Sequence, residues 1–471
     1  MSDRGDDPAR MHTFGPETQA LADDVIRYTL ERFAMNPPPL DGPRSAAELT
    51  ATAGPTVTPD GLGGTEALRL WTDVFAPACI SQDHPRALSF VPSAPTEAAA
   101  LFDLVVGASS IYGGSWLEGA GAVHAENEAL RWIADLAGFG PTAGGCFVSG
   151  GSGANLSALV AARHAAGEAR SAAGLDRPAR WRIVASAEAH SSIASTARVM
   201  DIEVIDVPVD DRGRLTGAAL AARLDQLDAD DDLDGLFAVV TTAGTTNAGM
   251  IDDLAGVAVV AAARSLWLHV DGAYGGAAMA APSARHHFDG IEQADSLVVD
   301  PHKWLFTPFD CAALIYRHPE VARAAHTQHA AYLDVLHDRD PGGVEWNPSD
   351  YAYHLSRRAR GLPFWFSLAV HGTDAYRDAI EISLDVTRQG AQLIDRLDHV
   401  ELVVDPMLSV LLFRRVGWIA VDYSAWSERV LAEGLTLTVP TTWLGETVLR
   451  FCIVNPRTTI EDLAMILDTL A

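Results

Sequence analysis

The first residue whose chemistry stands out is the chain's one lysine. Lys303 is the single lysine among 34 basic residues, and the other 33 are arginines. Arginine keeps its charge but cannot readily act as a nucleophilic amine, whereas lysine can form a Schiff base with an aldehyde. A lysine kept where all others are absent therefore indicates amine chemistry, and chance survival of one lysine is the alternative.

The residues around Lys303 favour the same interpretation. The segment LVVDPHKWLFTPFDC (297–311) places the lysine just after an apolar strand, at a turn marked by Pro301. Trp304, Phe306 and Phe309 make this site apolar. Burial disfavours an ammonium ion, so we expect the pKa of Lys303 to be lowered and its amine to be more nucleophilic. An exposed loop lysine is the structural alternative.

A carboxylate follows another apolar strand, in WLHVDGAYGG (267–276). A buried Asp271 needs a partner, and the ring nitrogen of pyridoxal 5'-phosphate is one, because it must stay protonated to act as an electron sink. A helix cap or a metal ligand is the other interpretation of a strand-end aspartate. The small residues that follow, including Ala273, leave room for a flat ring. Pyridoxal 5'-phosphate is therefore the predicted cofactor, and no metal site is predicted.

Three further strand ends carry polar residues. FVSGGSGANLSAL (147–159) is a strand, a glycine-rich turn and a helix start, which together can bind a phosphate. It matches neither the P-loop nor the complete dinucleotide-binding pattern, and a plain loop-to-helix turn is the alternative. AEAHSS (187–192) offers His190 to a flat ring or a carboxylate, and TTAGTTNAG (241–249) offers hydroxyls. Each of these strand-end motifs is a modest signal by itself, but together they are a much stronger one.

The chain between about 95 and 315 alternates helical patterns with short apolar runs, which predicts an α/β domain with a mostly parallel sheet. Ligands of such sheets bind outside the carboxyl ends of the strands, where all the polar motifs lie. The predicted strands are Gly145–Val148, Arg182–Ser186, Glu203–Val207, Leu236–Thr241, Trp267–Val270 and Leu297–Val299.

The two ends of the chain differ from this middle part. A loose tail (1–15) precedes an amphipathic helix at 16–35, and a mobile loop is predicted at 338–350. One long helix from about Pro363 to Leu397 leads into a small α+β domain, whose predicted strands include Thr436–Val439. We predict an N-terminal helical segment (1–85) that packs on a partner subunit, a large domain (86–362) and a small C-terminal domain (363–471).

Composition excludes several classes of protein. With 471 residues, 48% hydrophobic and 20% charged, the chain is globular. Its net charge of −28 makes nucleic acid and anionic membrane surfaces poor partners. Four widely spaced cysteines suggest no disulfide framework. The polar start resembles no secretory signal, and no apolar run is long enough to span a membrane. A cytoplasmic location is expected.

The order of these motifs resembles that of the group II pyridoxal-phosphate decarboxylases, the family of aromatic-L-amino-acid, glutamate and cysteine-sulfinate decarboxylases. PHKW, with FDC ending eight residues after the lysine, is the most specific match, and HVDGAYGG, AHSS and GTT fit as well. The resemblance runs from about Ala20 to the C-terminus. It implies the aspartate-aminotransferase-like fold, known as fold type I, and a homodimer with its active site at the subunit interface.

The resemblance also implies roles for individual residues. Lys303 forms the Schiff base, Asp271 pairs with the pyridine nitrogen, and His190 stacks on the ring and contacts the substrate carboxylate. Tyr332 occupies the place of a loop tyrosine that reaches the neighbouring subunit's site and helps to return a proton to the substrate. The remaining implied cofactor contacts are Gly151, Ser152, Thr246, Ala273, Asp300 and His302, and the implied substrate contacts are Gln82, Phe90 and Ser93.

Two departures from the family pattern stand out. The family usually has an asparagine before PHK, which donates to the phosphate, but this chain has Asp300. A carboxylate repels a phosphate unless it turns away or is protonated. Positions around Gln82 and Gly114, often aromatic in the aromatic-substrate enzymes, are polar or small here. PHKW and FDC still favour an aromatic or large apolar amino acid as substrate.

The predicted reaction is decarboxylation of an L-amino acid to an amine and carbon dioxide. An aldehyde synthase, which couples decarboxylation to oxidative deamination, is one alternative, and the presence of Tyr332 argues against it. An aminotransferase of the same fold is disfavoured by PHKW and AHSS. A non-catalytic cofactor-binding paralogue is disfavoured by intact Lys303, Asp271 and His190.

Overall fold

A computed structural model of the chain describes residues 10–338 and 345–471. The predicted tail at 1–15 and the predicted loop at 338–350 lie partly outside these residues. The large domain is built on a seven-stranded sheet. Its strands are β1 (Gly144–Val148), β2 (Arg182–Ser186), β3 (Glu203–Val207), β4 (Leu236–Thr242), β5 (Trp267–Asp271), β6 (Ser296–Val299) and β7 (Ala312–Tyr316).

The strand order β1-β7-β6-β5-β4-β2-β3 confirms the α/β prediction. Neighbours from β6 to β3 are parallel, whereas β7 runs antiparallel between β1 and β6. The six predicted strands lie within a residue or two of the observed ones. Sequence analysis missed β7, a short, wholly buried AALIY segment, because so short an apolar run has no distinguishing period.

Helices cover the large sheet on both faces, and each apolar stripe packs into the core. The helix that follows β1 begins at Gly151, so the predicted glycine-rich turn forms its first turn. The helices of this domain are α4 (Glu97–Ser109), α5 (Trp116–Leu136), α6 (Gly151–Ala172), α7 (Ser191–Met200), α8 (Gly217–Ala229), α9 (Leu254–Ala263), α10 (Pro319–His326) and α11 (Asp334–Asp338).

The C-terminal part is a four-stranded antiparallel sheet with helices, as predicted. The single helix predicted over 363–397 is wrong, because Gly372, at φ 77°, divides it into two helices. No strand forms at the predicted Thr436–Val439; Leu437 makes only an isolated bridge with Ala87. The elements are α12 (Leu362–His371), α13 (Thr373–Ile394), β8 (Val400–Val404), β9 (Val410–Arg415), α14 (Ala420–Ala432), β10 (Thr441–Trp443), β11 (Glu446–Cys452) and α15 (Ile460–Asp468).

The N-terminal part contains three helices and buries little of its own surface. They are α1 (Pro16–Phe33), α2 (Ala46–Ala53), which begins with a Ser45–Glu48 capping box, and α3 (Gly64–Leu70). No residue of α1 is buried, although Leu21, Ile26 and Leu30 project from it. Over the described part of the chain, every helix is too short or too polar to cross a membrane.

Candidate active site

A cavity of about 310 Å³ lies at the carboxyl ends of the parallel strands. All nine residues that sequence analysis assigned to the cofactor line this cavity, so the structure brings them together. They are Gly151, Ser152, His190, Thr246, Asp271, Ala273, Asp300, His302 and Lys303. The sheet places them there because β1, β2, β4, β5 and β6 all end on this side.

Lys303 stands in the turn that joins β6 to β7. Its backbone N–H donates to the Asp300 carbonyl (2.9 Å), and the next residue, Trp304, stacks on Tyr274 with ring centroids 5.4 Å apart. The Lys303 ammonium contacts the Asp300 carboxylate at 2.9 Å. Burial opposes the charged ammonium, but this carboxylate outweighs it and raises the pKa of Lys303. The predicted lowering of this pKa is therefore wrong for the cofactor-free chain.

Asp271 is held in a fixed orientation at the end of β5. One carboxylate oxygen accepts the backbone N–H of Ala273 (3.1 Å), and the other accepts the side-chain amide of Asn155 (2.8 Å). The side chain is 5% exposed. Asp271 is therefore placed to hold a proton on a facing ring nitrogen.

A chain of hydrogen bonds behind Asp271 determines where the protons lie. Because the Asn155 amide N–H donates to Asp271, its oxygen must accept from His269 Nε2 (2.9 Å). Burial lowers the pKa of His269 to about 4, so its other ring nitrogen, Nδ1, is an acceptor. Ser296 donates to that nitrogen (2.8 Å) while its oxygen accepts the indole N–H of Trp267 (2.8 Å). Every donor in this chain meets an acceptor.

The same amide also reaches the histidine that faces the cavity. Asn155 donates to the Ser192 hydroxyl (2.9 Å), which in turn contacts His190 Nδ1 (2.9 Å). The backbone N–H of Ser192 also donates to this nitrogen, so His190 caps α7. Two donors on Nδ1 leave the proton of a neutral His190 on Nε2. The histidine therefore offers a donor to a ligand in the cavity.

The first turn of α6 provides backbone donors for an anion. Gly151 N–H points to the Asp300 carboxylate (3.3 Å), whose oxygen Oδ2 lies close over the Gly151 Cα. A Cβ at Gly151 would lie about 3.0 Å from this carboxylate and 3.1 Å from the Ala273 Cβ, so the site is tight for any side chain. The other oxygen of Asp300, Oδ1, is buried and has no hydrogen-bond partner within 10–338 and 345–471.

The glycines that follow Asp271 have a different role from the predicted one. A Cβ at Gly275 would lie 2.3 Å from the Ala243 carbonyl, and Gly244 adopts φ 110° against Gly275. These two glycines allow the loops after β4 and β5 to pack backbone to backbone. They bring Thr246 and Ala273 to the same cavity.

The residues predicted to bind substrate are not among those that line the cavity. Ser93 is buried and donates to the Thr307 carbonyl (3.1 Å). Phe90 is 61% exposed and has a left-handed backbone conformation (φ 57°), rare for an aromatic residue. Gln82 is half-buried, and Tyr332 is 71% exposed. Their substrate roles stay predictions.

Among the cavity-lining residues that sequence analysis did not assign to the site, Asn155 and Phe309 contribute most to its chemistry. Asn155 orients both Asp271 and Ser192, and its only sequence signal was an amide in the first turns of an otherwise small and apolar helix. Phe309 was read only as an apolar flank of Lys303. Its ring lies 4.9 Å from that of His302 and is 57% exposed, so it lines the mouth of the cavity.

Comparison with known proteins agrees with this site. Residues 68–416 match the pyridoxal-dependent decarboxylase conserved domain. An aromatic-L-amino-acid decarboxylase of Bacillus atrophaeus is 29% identical over 82% of this chain and 80% of its own length. An L-2,4-diaminobutyrate decarboxylase of Rhizobium meliloti is 30% identical over 82% and 77%. The crystal structure of Oryza sativa TDC with PLP and tryptamine has a TM-score of 0.86, 26% identity, and coverage of 97% and 99%.

The residues of the cavity fit pyridoxal 5'-phosphate. Lys303 would supply the amine for its aldehyde, Asp271 would supply the acceptor for its ring N–H, and the start of α6 would supply donors for its phosphate. His190 and Ala273 line the space where a flat ring fits. The exception is the Asp300 carboxylate, because an ionised carboxylate would repel a bound phosphate.

Proposed function

Because the chain belongs to the pyridoxal-dependent decarboxylase family, we propose that it decarboxylates an aromatic L-amino acid to the amine and carbon dioxide. The observation that carries the aromatic assignment is Phe309, an exposed ring at the mouth of the cavity. Aromatic side chains favour stacked or edge-to-face contacts with other rings. The chain also shares 32% identity, over 70% of its length, with tryptophan decarboxylase 1 of Oryza sativa.

The polar residues near the mouth of the cavity do not favour a substrate with a charged side chain. His302 Nδ1 accepts the Cys311 N–H (3.0 Å), and burial lowers the pKa of His302, so it is neutral at neutral pH. Asp310, on the same loop, is paired with Arg360 (2.9 Å). Neither residue offers a free charge that would recognise the second amino group of diaminobutyrate. The ring of Phe309 is the larger recognition element at this mouth.

Bound pyridoxal 5'-phosphate supplies the electron sink for the reaction, and the residues of this chain place the substrate against it. Lys303 presents the amine that the substrate amine must displace. Asp271, held by Asn155 and Ala273, keeps the proton on the ring nitrogen. His190 presents Nε2–H to the substrate carboxylate and so orients the bond that breaks. Tyr332 returns a proton to the substrate Cα.

The position of Tyr332 supports a role for a second subunit. Tyr332 is outside the cavity of its own chain and is 71% exposed. The N-terminal helix α1 carries apolar residues but buries none of them. We therefore propose a homodimer in which α1 packs on the partner and each Tyr332 serves the partner's cavity.

The test of the reaction uses the cofactor-loaded protein with a panel of amino acids. The panel includes tryptophan, tyrosine, phenylalanine, leucine, glutamate and 2,4-diaminobutyrate, and the assay follows amine, carbon dioxide, aldehyde and peroxide together. We expect amine and carbon dioxide in equal amounts from an aromatic substrate. Turnover of 2,4-diaminobutyrate alone would overturn the aromatic assignment, and aldehyde with peroxide would identify an aldehyde synthase.

Subunit mixing tests the dimer and the role of Tyr332. Lys303→Ala and Tyr332→Phe chains are each expected to be nearly inactive. If Tyr332 acts across the interface, a mixed dimer has one site with both residues intact, and random mixing restores about a quarter of the wild-type activity. No recovery in confirmed mixed dimers would show that Tyr332 serves its own subunit or neither.

A further inference from the structure

Asp300 meets the cofactor's phosphate where a neutral donor is needed. Its carboxylate is 2% exposed and lies against the first turn of α6, where Gly151 N–H points to Oδ2 at 3.3 Å. A phosphate bound at this turn uses the same backbone donors. Two anions in contact cannot both stay ionised without a large cost, and the usual outcome is that one takes up a proton.

The free oxygen of Asp300 shows where that proton can go. Oδ2 is engaged by Lys303 Nζ (2.9 Å) and Gly151 N–H, whereas Oδ1 is buried and meets no hydrogen-bond partner in the described part of the chain. A buried carboxylate oxygen without a donor is costly. As a hydroxyl, it becomes a donor and can bind a phosphate oxygen, which is the role an asparagine amide would play.

The other ionisable groups around Asp300 do not relieve the repulsion between its carboxylate and a bound phosphate. His302 Nε2 lies 3.7 Å away, but burial keeps this histidine neutral. Cys311 is buried, its pKa is raised, and it stays a thiol. The Asp271 carboxylate also favours the charged form of Lys303, and Asp310 is paired with Arg360. Lys303 is therefore the one close cation among the described residues, and the phosphate competes with Asp300 for its charge.

We propose that Asp300 takes up one proton from solvent when a phosphate group occupies the first turn of α6, and that the neutral carboxyl group then donates to the phosphate. No covalent bond is made or broken in this step. The carboxylate and a solvent proton give the carboxylic acid, while the phosphate keeps its two negative charges. The Asp300 carboxylate otherwise pairs with Lys303 at 2.9 Å. This inference rests on the cofactor and not on the proposed substrate.

Two consequences follow for cofactor binding. Affinity for the phosphate must fall as the pH rises, because the complex contains one more proton than the free components. An asparagine at position 300 donates without a proton, so it removes this dependence. Above pH 7, the phosphate in solution is already a dianion, so its own titration does not mask the effect.

The test uses 4-deoxypyridoxine 5'-phosphate, which has the ring and the phosphate but no aldehyde to react with Lys303. Its Kd is measured between pH 7 and 9 for wild type, Asp300→Asn and Asp310→Asn. We expect the wild-type Kd to rise by up to about tenfold per pH unit relative to Asp300→Asn. Asp310→Asn, which removes one charge from the same loop, is expected to follow the wild type.

Infrared difference spectra locate the proton. Binding of the analogue to the wild type is expected to produce the carbonyl band of a neutral carboxylic acid, and Asp300→Asn is expected to lack it. Phosphorus NMR is expected to show a dianionic phosphate in both chains. Parallel affinities of wild type and Asp300→Asn across this pH range, or no acid band, would show that Asp300 stays ionised. A monoanionic phosphate in the wild type would place the proton on the ligand and overturn the assignment.

Discussion

The residues assigned to the cofactor and those assigned to the substrate are held in opposite ways. The cofactor wall, consisting of Asn155, Asp271 and Lys303, stands on strand ends and a helix start of one sheet, and each side chain has a polar partner within the chain. The proposed substrate wall consists of Phe309, at the mouth of the cavity, and of Phe90 and Tyr332, which do not line it, and all three belong to connecting segments. Its three rings are 61%, 57% and 71% exposed.

This contrast separates contacts that the chain makes within itself from contacts that need a ligand or another subunit. The cofactor wall is organised before any ligand arrives, and a fixed electrostatic environment is what stabilises charge that develops during a reaction. The substrate wall has apolar area without a partner, and burial of such area on binding is favourable. We therefore expect substrate selection to depend on contacts that a ligand or a second subunit would complete. Four predictions test this division, from the largest expected effect to the smallest.

Lys303→Arg is expected to break the cofactor wall. Arginine keeps the positive charge beside Asp300 but cannot supply the nucleophilic amine. Decarboxylation should fall by roughly 10³-fold or more, and the absorbance of the lysine-linked cofactor should be lost while the thermal midpoint changes little. Equal loss of folding stability and activity would show that the lysine matters mainly for structure.

The buried His269, which supports the cofactor wall through Asn155, is expected to lower the free energy of unfolding in acid. Its pKa of about 4 lies below the value of about 6.5 for an unfolded histidine. The unfolded chain therefore binds more protons between these values, so the free energy of unfolding falls as the pH drops from about 6.5 towards 4. The loss from this residue approaches about 3 kcal/mol.

Urea unfolding at several pH values measures this effect. His269→Gln offers an amide N–H and a carbonyl oxygen in place of the two ring nitrogens, so it should flatten the acid side of the profile. His84 and His354 also have pKa values lowered to about 4 by burial and contribute with the same sign. The exposed His124 is the control. A profile unchanged by His269→Gln would refute the assignment.

Asn155→Leu keeps the volume of the side chain but removes its donors to Asp271 and Ser192. Substitution of residues that orient a catalytic group typically costs 10- to 100-fold, and we expect a loss of about that size in kcat. The pH profile of kcat should also change, because His190 loses the hydroxyl network that fixes its proton. A rise in KM with kcat unchanged would place Asn155 in substrate binding instead.

The smallest effect is expected on the substrate wall. Phe309→Ala removes one aromatic contact, which should raise KM for an aromatic substrate by roughly tenfold. Affinity for pyridoxal 5'-phosphate should stay within about twofold, since the phosphate and ring contacts lie on the other wall. Phe309→Leu is the matched variant that keeps apolar area but loses the ring. Equal KM values for the leucine variant and the wild type would show that bulk, not aromaticity, is recognised.

The sequence predicted Asp271 and Lys303 of the cofactor wall because each follows a recognisable strand, but it missed Asn155, which lies inside α6. Lys303, Asp271 and His190 follow runs of apolar residues, and parallel strands deliver their carboxyl ends to one edge. The substrate wall could not be placed in this way. Ser93, predicted to meet the substrate, donates to the Thr307 carbonyl, and no local pattern shows whether a loop side chain faces a cavity or its own chain.

The sequence by itself determined the class of fold, the cofactor and the position of the reactive amine, because these depend on residue type and on periodicity along the chain. Only the tertiary structure decided the proton order through Asn155 and His269, and the pairing of Asp300 with Lys303. The amide of Asn155 and the carboxylate of Asp271 are 116 residues apart in the chain. Their contact depends on how α6 crosses the sheet, and that crossing is set by core packing summed over the whole domain.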